Sequence, residues 1–216
     1  MKTALITIFL SLVSIGCLAQ TRVEKTIDVT GQSQLALDLP FADEIRLSTW
    51  DKHKVEVQAA VTINEGKDDN LFALKSHKSS RTISVEMDKD KWESFSWQDI
   101  HHCQQVKITY QVHLPDSMRV TARTIDGSYL LDYYNQPLEL KTVSGDIDMS
   151  VPAGRGVDFR AKTVSGEVYS NLDIVYPDGK DGLQQLVGIN IHGRTFNGGP
   201  AVIMKTVSGN VYLRNK

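Results

Sequence analysis

Apolar and polar residues alternate in short runs along most of the chain. Leu35, Leu37 and Leu39 share one parity, as do Val55, Val57, Ala59 and Val61. Ile83, Val85 and Met87 repeat the pattern, and Val106, Ile108, Tyr110, Val112 and Leu114 extend it. A period of two places successive side chains on opposite faces of a strand. Pro40, the polar stretch NEGKDDN at 64–70 and Pro115-Asp116-Ser117 interrupt the runs with turn chemistry. Residues 44–61 read as strand, corner, strand, with the corner at Trp50-Asp51-Lys52-His53. The expected class is all-β.

The second half of the chain repeats a phrase: RTIDGSY at 123–129, KTVSGDI at 141–147, KTVSGEV at 162–168 and KTVSGNV at 205–211. Its threonines are Thr124, Thr142, Thr163 and Thr206, spaced 18, 21 and 43 residues apart, and its glycines are Gly127, Gly145, Gly166 and Gly209. Apolar pairs precede each copy: Val120 and Ala122, Leu138 and Leu140, Phe159 and Ala161, Val202 and Met204. A repeated strand, bend, strand unit of about 20 residues is the signature of a β-solenoid whose coils stack on one another. The rival architecture is an antiparallel β-sandwich, in which in-register repetition of a bend has no evident role.

On the solenoid reading, Ile125, Val143, Val164 and Val207 line a shared interior column. The glycines then allow a close backbone approach. Equivalent residues form ladders at about 4.8 Å. One is basic (Arg123, Lys141 and Lys162, with Lys205 further along), and one is polar and partly acidic (Ser128, Asp146, Glu167, Asn210). The doubled last spacing predicts a degenerate coil within 173–193. The last copy becomes a nearly bare terminal coil, its edge guarded by Arg214 and Lys216. The clearest repeats cover 118–216 of one domain at 20–216.

Residues 1–19 read as a signal peptide: Lys2, an apolar run, then small residues ending at Ala19. Cleavage there is favoured over a lipid anchor at Cys17, because Ser14 stands where a lipoprotein box has Leu. No later stretch is long and apolar enough to span a bilayer as a helix. With Cys17 removed or lipidated, Cys103 is the one thiol left, so no internal disulfide is expected. The net charge of −2 across 216 residues supplies no field for nucleic acid.

The chain carries no GxSxG, HExxH, Walker or GxGxxG phrase. The carboxylates Asp126, Asp146, Asp148 and Glu167 are the best case for a hydrolase. Neutralising the basic ladder is their simpler role, and no enzyme is expected. His101, Cys103 and His113 fall short of a metal site, and no cofactor is implied. Trp92, Phe95 and Trp97 sit in a very polar stretch. They either cap one end of the stack or offer an aromatic platform to a sugar ring or a protein partner.

The TVSG-D/E/N-V phrase, the VHLPDSMRV segment at 112–120 and the export signal together resemble the DUF4097 family, also called putative adhesins. The resemblance covers roughly Ile45 to the C-terminus. It implies a right-handed β-helix-like fold and a non-enzymatic role at the cell surface or in the periplasm. The partner would be an envelope protein or glycan, and the resemblance brings no catalytic residues. Similar proteins also include envelope-stress components, so adhesion and signalling both stay open.

Overall fold

The computed structural model describes residues 20–93, 105–177 and 188–216. The leader with Cys17, then Phe95, Trp97, His101, His102 and Cys103, and Leu186 and Val187 of the expected degenerate coil, lie outside them.

Val, Ile and Thr alternate with polar residues, and every such run is a strand. In chain order these are β1 (Thr21–Asp28), β2 (Gln34–Asp38), β3 (Phe41–Trp50), β4 (Lys54–Ile63), β5 (Leu74–Lys78) and β6 (Thr82–Met87). A short helix, α1 (Lys89–Glu93), follows. Then come β7 (Val106–Pro115), β8 (Arg119–Arg123), β9 (Asp126–Asp132), β10 (Leu138–Lys141), β11 (Ile147–Val151), β12 (Asp158–Thr163) and β13 (Val168–Ser170). Last are β14 (Ile174–Val175), β15 (Ile189–Thr195), β16 (Ala201–Lys205) and β17 (Val211–Asn215).

The chain is all-β, in two mixed sheets that do not close into a barrel. The eight-stranded sheet runs β1, β4, β7, β3, β9, β11, β17, β13. The nine-stranded sheet runs β14, β15, β12, β16, β10, β8, β2, β6, β5. Their buried faces share one apolar cluster, in which Tyr110, Tyr129 and Phe159 are the largest fully buried side chains.

Each copy of the phrase gives one strand to each sheet: β8 and β9, β10 and β11, β12 and β13, β16 and β17. Neighbouring copies pair in parallel and in register, with Leu138 opposite both Val120 and Val202, and Ile147 opposite both Tyr129 and Val211. The apolar pairs before each copy are buried as expected. A further parallel unit is β2 with β3, which pairs with β8 and β9. The early unit is thus 34–50 rather than 44–61. In the latter span, β3 and β4 lie in the same sheet with β7 between them.

The order of the copies departs from the chain order. The last copy is inserted between the second and third, since β16 pairs with both β10 and β12, and β17 with both β11 and β13. The final copy is therefore internal instead of a bare edge. Arg214 spends its charge on Asp148 at 3.0 Å, and Lys216 on Asp132 at 2.9 Å. No parallel coil fills the doubled spacing within the described residues. Instead β15 pairs antiparallel with β12, and β14 antiparallel with β15.

The second correction concerns the valines. Ile125, Val143, Val164 and Val207 are 44–52% exposed, whereas the threonines beside them are at most 4% exposed. Alternation runs unbroken through the threonine, so Leu138, Leu140 and Thr142 all point inward and Val143 must point out. The bend comes one residue later than the hydrophobic pattern suggests. Carbonyls that the bend turns inward need a donor, which threonine has and valine lacks. The interior column at this level is threonine.

Candidate binding surface

The bends stack into three ladders of hydrogen bonds. In the first, Thr142 Oγ1 donates to the Gly127 carbonyl (3.0 Å), Thr206 Oγ1 to Gly145 (3.0 Å) and Thr163 Oγ1 to Gly209 (2.9 Å). In the second, backbone amides bridge the copies: Gly127 N donates to Ser144 O, and Gly145 N to Ser208 O. In the third, a side chain accepts from the next copy's amide. Asp146 N donates to Ser128 Oγ (3.1 Å), Asn210 N to Asp146 Oδ1 (2.7 Å) and Glu167 N to Asn210 Oδ1 (2.9 Å). Glycine is required where it stands. A Cβ on Gly145 would lie 2.2 Å from the Gly127 oxygen, and one on Gly209 2.1 Å from that of Gly145. The expected close backbone approach is present.

The polar ladder exists in the order Ser128, Asp146, Asn210, Glu167. Because the last copy is inserted, Asn210 separates the two carboxylates that the hydrolase reading would bring together. Asp146 is engaged by a backbone amide, and Asp148 by Arg214. The basic ladder runs Arg123, Lys141, Lys205, Lys162, with Lys205 inside it and not beyond it. Its neutralisers are Glu139, which meets Lys141 at 2.8 Å and Lys205 at 3.2 Å, and Asp38, which meets Arg123 at 2.8 Å. Asp126, Asp146 and Glu167 do not play that role. The Lys141 hydrogen bond, joined by Lys205 against partial burial, holds the Glu139 carboxyl below its ordinary range. For Asp38, burial pushes upward, yet Arg123 and Lys89 together hold it low.

Of the aromatic triplet, only Trp92 is described. One face of its ring stacks on Phe41, with centroids 5.3 Å apart, and the side chain packs against the core cluster. Ion pairs from Lys89 to Asp38 and from Lys75 to Asp88 and Asp90 hold α1 in place. One face of the Trp92 ring is therefore already in use within the chain.

The outer face of the eight-stranded sheet carries a depression of about 290 Å³, lined by Arg46, Ser48, Gln111, His113, Asp132 and Ser150 among others. Ser48 and His113 are register partners on β3 and β7, and Ser48 Oγ lies 2.7 Å from His113 Nδ1. The imidazole stacks on Trp50 at 5.2 Å, and Trp50 Nε1 donates to the Lys54 carbonyl at 2.7 Å. These residues carried no signal as a group in the sequence, where Ser48 and His113 stand 65 positions apart. No group of three or more His, Cys, Asp or Glu side chains placed to hold a metal ion occurs among the described residues.

No family model matches the chain. No curated protein matches it in sequence. The fold has a counterpart among solved structures. A putative cell adhesion protein from Clostridium sporogenes ATCC 15579 superposes with a TM-score of 0.55 at 12% identity, over 91% of this chain and 100% of that one. The two share a fold. A putative adhesin from Bacteroides fragilis NCTC 9343 aligns over 92% of this chain and 99% of that one, at a TM-score of 0.33 and 9% identity. No helix among the described residues is long and apolar enough to cross a membrane.

Proposed function

We propose that this chain is an exported, non-enzymatic cell-envelope protein of the DUF4097 kind. In this reading it is an adhesin-like binding module whose repeats act as coils of a β-solenoid and hold a rigid outer surface to glycan or protein. The in-register stacking of the bends carries this reading. Each copy is tied to the next by backbone, threonine and ladder hydrogen bonds, which stiffen a surface that can bind without first being ordered. The shared fold with a protein described as a putative cell adhesion protein is in keeping with it. On this reading, successive coils of the stack are not successive in the chain, because the last copy lies between the second and third.

The test is binding of fluorescently labelled protein to immobilised glycans, immobilised extracellular-matrix proteins and intact epithelial cells. Saturable binding to at least one surface is expected. Its absence from all three overturns the reading.

A further inference from the structure

We propose that the cleft where β3 and β9 part is a saccharide site that takes an uncharged sugar ring, an inference that rests on the binding-module reading above. Pairing between β3 and β9 ends at Leu47 opposite Leu131. β3 continues to Trp50 against β7, whereas β9 stays with β11 through Asp132 opposite Ser150. Past the split, the facing sides of the two strands have no sheet partner. Backbone polar groups there look to water or a ligand.

The resulting depression is about 290 Å³, and a second pocket of about 160 Å³ shares Leu47, Ser48, Leu131 and Asp132 with it. That is the low end of the roughly 300–1,000 Å³ typical of small-molecule sites, a size for one ring rather than an extended polymer.

The chemistry of the rim selects the ligand. The rim carries one cation and one carboxylate, Arg46 and Asp132, and each is ion-paired within the chain, to Glu44 and Lys216. With the two signs balanced, the rim presents no cluster of cations to a sulfated, sialylated or phosphorylated ligand. The other polar groups at the rim are the Gln111 amide, the Ser150 hydroxyl and the mutually bonded Ser48 and His113. Leu130, on the same face of β9 as Asp132, adds an apolar side chain beside them. A sugar ring offers hydroxyls around its edge and C–H groups on its faces, which suits hydrogen-bonding side chains next to an apolar one. The stack of Trp50 on His113 fixes the imidazole, so this wall is formed in advance.

The experiment screens the full chain against immobilised neutral oligosaccharides, sulfated and sialylated oligosaccharides, and matrix proteins. Calorimetry on the best neutral binder follows. Gln111→Ala combined with Ser150→Ala, both at the surface, is expected to weaken that binding at least tenfold with an unchanged circular dichroism spectrum. Ser150→Phe, which fills the depression, is expected to abolish it. Full affinity in both variants overturns the site. Capture of charged glycans alone overturns the neutral class. Binding to matrix protein but to no glycan overturns this inference and leaves the binding-module reading standing, while binding to no surface overturns both.

Discussion

The hydroxyl of Thr142 donates a 3.0 Å hydrogen bond to the carbonyl of Gly127, the glycine of the preceding copy. The same oxygen is the atom that a Cβ on Gly145 would strike. One carbonyl therefore accounts for two letters of the repeated phrase: threonine to satisfy it, and glycine to leave room for it.

Thr206→Val keeps the shape of the side chain but removes the bond to the Gly145 carbonyl at a buried position. A loss of about 1–2 kcal/mol is expected. Urea unfolding should show a lower midpoint with an unchanged m-value. An unchanged midpoint would mean that the threonine ladder contributes nothing.

Gly145→Ala is expected to be far worse than Gly31→Ala. Both glycines have positive φ, 143° and 110°, but nothing lies within 4 Å of a Cβ on Gly31. Gly31→Ala should cost only the left-handed penalty of about 1–2 kcal/mol. Gly145→Ala adds a backbone overlap that must push two copies apart, and a total above about 3 kcal/mol is expected. Thermal melts of the two variants side by side measure the difference.

Tyr110 is fully buried, and its hydroxyl has no hydrogen-bond partner among the described residues. An orphaned buried donor costs about 1–3 kcal/mol. Tyr110→Phe should therefore raise stability, by about 1 kcal/mol. Tyr129→Phe, which gives up the 3.2 Å bond to the Lys141 carbonyl, should lower it. Opposite signs in paired urea titrations are the expected result.

The carboxyls of Asp38, Glu139 and Asp158 are all held below their ordinary range, Asp158 chiefly by Arg194. The unfolded chain therefore takes up protons first on acidification. The contribution of these groups is complete above the ordinary carboxylate range, about pH 4, and fades as the pH falls through their lower folded-state values. Asp38→Asn should be less stable than the parent at about pH 7 and nearly equal to it at about pH 2.5. Melting temperatures across that interval test the sign.

How far the sequence reveals the fold depends on the range of the interaction. Leu138 and Leu140 announced an inward face, and Gly127 and Gly145 announced a tight approach, because strand parity and glycine geometry are local. Val143 misled because an apolar residue at a bend reads as interior. Only the position of the bend, one residue later, reverses that. The placement of β16 between β10 and β12 has no local trace, since all four copies carry nearly the same phrase and any two could pair. The rim of the candidate site was hidden for a similar reason: His113 and Ser48 meet only because β7 and β3 are neighbours in the sheet.

The inserted copy also governs how the chain can be assembled. Residues 201–215 follow both of their neighbours in the chain, so the slot between β10 and β12 is vacant until they emerge. A nascent chain then holds unfinished strand edges and a gap in its interior. Such a chain cannot lock early, and closure waits for a distant segment.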